Sequence, residues 1–434
     1  MSRLSSALSE AIRTEFPSVT VGPEAGFFVH PRTEIADFSS IAAIRIAATQ
    51  KIDATIVARR LLKHLEGAVP GIWCDEVGYM TVSGKDNEWW SDEVKGCEEA
   101  RRSLAILNQE RTVVCIVPQG ILPDYAALRL IALAGTQAWL LVSQGCPCRV
   151  SFVLGKIVSV TTPEQVLAAV AEAVTEVLRV RASADTARPV SDFDPEEVAH
   201  MLPASLGGGS SSWGRAFLWI NHQTLSKLSG PVRSLIEARR HSDQIVLRMP
   251  NDGWILSRER AIPEILERIA LTRVVDRISS LQGWLRWLLH AASSIPSGEF
   301  DSSVGLFEEM SSPGWAIAEL QKRLSRVASG SLTSTAPDVE SPVGSRVIDL
   351  PRELRTTWLA AVALPTMVTR GAFSGEVLNT MRAIEQTSAY GHSYLNDPAM
   401  RLRLHMGKPT AADRKILAGL CFTVSSILTT GAES

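Results

Sequence analysis

Two helical periodicities open the chain. Ile41, Ile44, Ile46 and Ala48 form one, and Ile56, Val57, Leu61, Leu62 and Leu65 form the next, with Asp53 placed to cap the second helix. A strand pattern follows at Gly78 to Ser83. Further on, a β-type run from Arg111 to Val117 leads through a Pro/Gly turn into an apolar helical stretch, Tyr125 to Val142. This strand-turn-helix unit is of the kind that places ligands at strand C-termini. Thr162-Pro163-Glu164-Gln165 reads as an N-cap, a proline at the first helical position and a capping-box partner, opening the helix of Val166, Val170, Val174, Val177 and Leu178. Beyond Leu350 the pattern is almost wholly helical as far as Gly431.

Polar, Gly-rich stretches divide these patterns. Arg181 to Phe193 is rich in Ala, Ser, Asp and Pro, and Gly207 to Ser212 is a linker-like tract that lacks the Gly-Lys-Ser/Thr of a phosphate loop. Ser329 to Arg346 lacks periodicity. The expected organisation is an α+β segment over 1–98, an α/β segment over 99–328, a linker over 329–346 and a helical bundle over 347–434.

At 434 residues and 45% hydrophobic, the chain is long enough for two or three cores. No apolar run approaches the roughly 20 residues of a membrane span, and the start of the chain lacks a signal-peptide core. Six cysteines without regular spacing suit free thiols in a reducing cytoplasm. Cys146-Pro147-Cys148 is their one close pair, and no further zinc ligands stand near it, so no metal is expected. A net charge of −2 leaves any polyanion partner to local patches. One such patch lies near the C-terminus: between Ala399 and Ala432, Arg401, Arg403, Lys408, Arg414 and Lys415 have only Asp413 as an opposing acid. With His405, Tyr390 and Tyr394 close by, it offers cations to phosphates and aromatic faces to unstacked bases. A second basic set, Arg45, Lys51, Arg59, Arg60 and Lys63, is the alternative RNA face.

In order, these segments resemble arginyl-tRNA synthetase: an N-terminal additional domain, a class I Rossmann-type core and an anticodon-binding helical domain of the DALR type. Asp37-Phe38-Ser39-Ser40-Ile41-Ala42-Ala43 resembles the family's Asp-Tyr-x-Ser-Asn-x-Ala, with Ile41 at the Asn position. Gly78-Tyr79-Met80 and Trp89-Trp90 resemble its Gly-Phe-Ile strand and terminal Trp. Leu128-Arg129 through Leu154-Gly155 aligns without a gap between the ends of the family's His-x-Gly-His-Leu-Arg and Tyr-Leu-Gly-Asp motifs, and Lys156 replaces the final acid. Leu285 to Leu288, Phe300-Asp301 and Ser311 to Pro313 match later landmarks at the family's spacing. Of Tyr-Ala-His-Ala-Arg only Arg323 remains.

What the resemblance implies about catalysis is loss. The His-x-Gly-His tetrad falls on Asp124, Tyr125, Ala126 and Ala127, which supply neither phosphate donors nor a glycine for close adenine approach. One lost oxyanion-type donor costs about 2.7–4 kcal/mol of transition-state stabilisation. The lysine loop is represented by Ile255 to Arg260, where Arg258 and Arg260 flank Glu259 as a solvated pair. The resemblance therefore implies a catalytically degenerate, cytoplasmic paralogue without a cofactor that binds tRNA, or assists an aminoacyl-tRNA-using transferase or a synthetase partner in a specialised pathway. Neither a membrane nor DNA is an expected partner. Two alternatives stand beside it: an enzyme with a repurposed adenylation or condensation pocket built from Asp124, Tyr125, Lys156, Arg258 and Arg260, and a protein-interaction subunit that binds no RNA.

Overall fold

The structure is a computed structural model, and it describes residues 3–19, 26–29, 36–69, 71–83, 111–115, 125–152, 156–182, 216–220, 222–241, 245–249, 313–331, 352–375 and 377–428. Helix and sheet are mixed, and two compact units divide the chain. One comprises Met1–Leu104, Glu319–Arg370 and Ala383–Leu428; the other comprises Ala105–Ala318, Gly371–Arg382 and Thr429–Ser434.

The N-terminal part of the first unit packs three helices beside an antiparallel sheet. Leu4, Leu8, Ala11 and Ile12 line one face of α1 (Arg3–Glu15) and are buried, as helical spacing requires of a face turned to a core. That helix packs on α3 (Ala54–Leu65), which also packs on α2 (Ala42–Gln50). Asp53 caps α3 as expected, accepting from the backbone N–H groups of Thr55 at 2.8 Å and Ile56 at 3.4 Å. Strands β1 (Phe27–Val29), β2 (Phe38–Ser40), β3 (Ile72–Cys74) and β4 (Met80–Val82) run in the order β1-β2-β4-β3. The Gly78 to Ser83 pattern thus becomes β4, paired with Phe38 opposite Val82. Ile41 occupies the N-cap of α2 with no side-chain bond, and Ser40 Oγ accepts from Ala42 N at 3.1 Å instead. Asn is a favoured N-cap residue and Ile is not, so the cap at this position comes from Ser40.

A five-stranded sheet forms the centre of the second unit. Its strands are β5 (Arg111–Cys115), β6 (Cys148–Ser151), β7 (Val158–Val160), β8 (Ala216–Trp219) and β9 (Ile245–Arg248), in the order β7-β6-β5-β8-β9. β5 pairs in parallel with both β6 and β8, β8 pairs in parallel with β9, and β7 is an antiparallel edge. The chain leaves β5 toward β6 through α4 (Tyr125–Ser143) and later comes back to β5's other side, so its direction of winding reverses between β5 and β8. In open parallel sheets the strand C-termini at such a reversal are where ligands bind. The turn after β5, with Asp124 in it, lies outside the described residues.

Packing explains the layers. Every residue of α4 from Leu130 to Val142 is buried, which suits a helix covered on all sides. It packs on α5 (Pro163–Ala182), whose capping box forms as the sequence predicts: Gln165 Oε1 accepts from Thr162 N at 3.2 Å, and Thr162 Oγ1 accepts from Gln165 N at 3.4 Å. Ala216, Leu218 and Ile220 meet Val232 and Ile236 of α7 (Gly230–His241), which follows the short α6 (His222–Lys227). Phe217 alternates to the opposite face. There Gly375, at φ +73, comes so close that a Cβ would stand 2.7 Å from Arg248 Nε and 2.9 Å from the Phe217 ring. Gln137 Nε2 of α4 donates to Ala372 O at 2.6 Å in the same unit.

Helices alone make up the described C-terminal region: α8 (Pro313–Ser331), α9 (Arg352–Ser374), α10 (Val377–Asn396), α11 (Pro398–His405) and α12 (Ala411–Leu428). α8 continues through residues 329–331, the start of the expected linker, while 332–346 lie outside the described residues. Pro365 sits inside α9 and cannot donate to Ala361 O. Thr423 Oγ1 of α12 supplies the missing donor at 2.8 Å, while Thr387 Oγ1 of α10 lies 2.9 Å from Ala383 O of its own helix and 3.3 Å from Ala360 O. A buried hydroxyl thereby satisfies the carbonyl at the proline site.

Candidate nucleic-acid interface

The short helix α11 is fixed at both ends by local chemistry. Asp397 caps its N-terminus, accepting from Met400 N at 2.6 Å, and Pro398 takes the first turn, where no N–H is needed. At the other end Gly407, with φ +64, makes a left-handed cap in which Gly407 N donates to Leu404 O at 3.0 Å and Lys408 N donates to Arg403 O at 2.9 Å. Eight residues rarely hold a helix unaided, so the caps account for its persistence.

A buried carboxylate then ties α11 to its neighbours. Asp413, in the first turn of α12 and with a side chain 0% exposed, receives both Nε and Nη2 of Arg403 at 2.7 and 2.9 Å, and the Tyr394 hydroxyl of α10 at 2.7 Å. Thr410 adds its N–H at 2.9 Å and its hydroxyl at 2.8 Å, while Asp413 N donates to Thr410 Oγ1 at 3.0 Å. The Thr410–Asp413 pair is a capping box whose acid also serves as the hub of a three-helix junction. Burial pushes the Asp413 carboxyl up, but the bonds from Arg403, Tyr394 and Thr410 outweigh it and hold the group well below the usual carboxylate range. Burial and the bond to Asp413 together raise the Tyr394 phenol far above its ordinary value.

Beside this junction, α8, the end of α10 and α11 enclose an open groove of about 650 Å³. Arg323 and Arg326 line it from α8, and Arg401 and His405 from α11, with Val327, Leu395, Leu402 and Leu404 supplying apolar surface. No carboxylate is found among its described lining residues. Arg323 Nη1 points at His392 Nδ1 at 3.0 Å, and Nη2 donates to Asn396 Oδ1 at 2.8 Å. Leu402 is 59% exposed and Met406 57%, so apolar side chains stand at the solvent face of α11 beside its cations. Cations beside apolar side chains suit a ligand that carries phosphates.

The residues predicted from sequence have separate fates. Arg401 lines the groove together with His405. Arg403 and Tyr394 belong to the Asp413 junction; with Tyr394 only 4% exposed, its ring offers no open face to a base. Lys408 and Arg414 are exposed, Tyr390 is half-buried on α10, and Lys415 lies on α12. Arg59, Arg60 and Lys63 of the alternative basic set are exposed on α3. Tyr125, Ala126 and Ala127 form the first turn of α4, whereas Asp124, Arg258 and Arg260 lie outside the described residues. Lys156 forms an exposed ion pair with Glu172 of α5. Cys146 and Cys148 are both buried, and Cys148 Sγ donates to Cys146 O at 3.6 Å. Sequence reasoning did not join Arg323 and Arg326 to the C-terminal basic segment; their i, i+3 spacing on an amphipathic helix was the available signal.

Neither the family models nor the curated proteins include a match to this chain. Among the described residues, no helix is long and apolar enough to cross a membrane, and no group of three or more His, Cys, Asp or Glu is placed to hold a metal ion.

Proposed function

We propose that the chain is a catalytically degenerate, arginyl-tRNA synthetase-like protein that binds tRNA, or assists an aminoacyl-tRNA-dependent enzyme, without charging tRNA itself. The observation that carries this reading is the groove between α8 and α11, where Arg323, Arg326, Arg401 and His405 converge around apolar side chains. Phosphates of a polynucleotide would meet these cations in the groove, and release of their counterions supplies affinity. Loss of the family's phosphate-binding tetrad at Asp124 to Ala127 is why binding is proposed without adenylation. The class I core and the cytoplasmic setting are part of the same proposal.

The test is a tRNA-binding titration at several salt concentrations with the full chain and the double variant Arg326→Ala, Arg401→Ala. Each neutralised phosphate contributes about 0.7–0.9 to the salt slope, so the variant's slope is expected to fall by about 1.5 with its fold intact. An unchanged slope in a folded variant removes the groove from the interface. Arginine-dependent ATP-pyrophosphate exchange above a mock preparation overturns the non-catalytic part in favour of a repurposed enzyme.

A further inference from the structure

The acid inside the basic segment is the buried hub of a three-helix junction, not a charge that faces solvent. Counted as charge, Asp413 lowers the attraction of Arg401, Arg403 and His405 for any polyanion. In the structure its carboxylate is fully buried and takes bonds from α10 through Tyr394, from α11 through Arg403 and from the entry to α12 through Thr410. Arg403 is two residues from Arg401 and from His405 on the same short helix. Fixing Arg403 inward therefore sets the rotation of α11 about its axis, because successive helical residues diverge by a fixed angle. In this orientation Arg401 and His405 line the groove together with Arg323 and Arg326.

We propose that Asp413 is the positioning residue of this groove: it gives up one cation, Arg403, to aim the others. The proposal rests on the RNA reading above and adds to it a residue that touches no ligand. It reverses the expectation from electrostatics alone. Asp413→Asn removes a negative charge and releases Arg403, so charge counting gives tighter tRNA binding and a steeper salt slope. With positioning lost, α11 is no longer held against α10 and α12, and binding weakens although the protein has become more positive.

The experiment compares the full-length wild type, Asp413→Asn and Tyr394→Phe, using labelled unfractionated tRNA at several salt concentrations and a temperature well below each protein's unfolding midpoint. For Asp413→Asn the expected result is an affinity about tenfold lower and a salt slope smaller by about 1, the share of one lost phosphate contact. Tyr394→Phe changes no charge and conserves volume; a threefold or greater loss of affinity is expected from it. A role limited to stability would lower the unfolding midpoint while leaving the Kd and slope of the folded protein at wild-type values, and that result overturns the proposal. Tighter binding by Asp413→Asn overturns it too. Should Asp413→Asn fail to fold, Tyr394→Phe decides: weakened binding supports positioning and unchanged binding refutes it. If the wild type itself shows no salt-dependent tRNA binding, the RNA reading fails, whereas a binding wild type with undiminished variants removes only the role given to Asp413.

Discussion

The helices around the groove and the parallel sheet are held together by different kinds of contact. In the sheet unit, Ala216, Leu218 and Ile220 lock into α7, the whole of α4 from Leu130 to Val142 is buried, and Gly375 fits against Phe217 with no room for a Cβ. Among the C-terminal helices, polar groups take a larger part: the Thr423 hydroxyl reaches Ala361 O beside Pro365, and Asp413 gathers Arg403, Tyr394 and Thr410 next to the groove. Hydrocarbon packing tolerates little change of volume but has no preference for a charged ligand. Directional bonds to a buried ion orient helices, and through them a set of cations. The contrast teaches that a ligand-binding face in this protein is to be sought where polar contacts specify geometry, rather than where packing is densest.

The sharpest way to break the comparison is to overfill the sheet. Gly375→Ala puts a methyl at φ +73, within 2.7 Å of Arg248 Nε and 2.9 Å of the Phe217 ring. Left-handed strain of about 1–2 kcal/mol and overpacking of about 1–3 kcal/mol add to a loss of about 2–5 kcal/mol. Chemical denaturation measures it. The folded variant is expected to keep the wild-type tRNA salt slope; a changed slope would show that the sheet's packing also governs the binding face.

A middle-sized effect sharpens the other half. Thr423→Val keeps the shape of the side chain and removes the hydroxyl that serves Ala361 O, which Pro365 leaves without its helical donor. An unsatisfied buried acceptor costs about 1–3 kcal/mol. Thermal unfolding is the readout. A loss within error would mean that the carbonyl finds another partner and that the helical region is held by packing as the sheet is.

How much of this was legible in the sequence depends on the range of the interaction. Caps are local: Asp53 and the Thr162-to-Gln165 box were readable because donor and acceptor lie within one turn of chain. Strand periodicity likewise located β4 and β5, and helical periodicity located α3 to α5. At the C-terminus a side chain's partner can come from another helix, which no local pattern shows. Tyr394 and Arg403 looked like ligand contacts because aromatic and basic residues cluster there, yet each serves Asp413. Thr410-x-x-Asp413 carries the capping-box signature and was available as a local signal, but that pattern says nothing of Tyr394 or Arg403. Arg323 and Arg326 reach the groove only because α8 folds beside α11, a non-local fact that no window of sequence contains. The close fit of Gly375 on Phe217 is of the same kind.

The smallest expected effect tests whether charge alone matters in the sheet unit. Lys156 stands where the resemblance has an acid, and a repurposed pocket would draw on it together with Asp124, Tyr125, Arg258 and Arg260. Its observed partner is Glu172 of α5, and both side chains are more than half exposed, at 51% and 57%. Two long side chains held in water gain modest Coulomb energy and lose rotamer freedom, so an exposed pair contributes about 0–1 kcal/mol. Lys156→Ala is therefore expected to change stability by no more than about 0.5 kcal/mol, the usual range for a surface substitution. Its tRNA affinity and salt slope are expected to match the wild type, in contrast to Arg326→Ala, Arg401→Ala, because a cation contributes to binding only where the fold aims it at the ligand. Denaturation and the same salt series check both points. A lower salt slope in Lys156→Ala would extend the polyanion face onto the sheet unit, and the division between a unit held by packing and a region organised by charge would no longer hold.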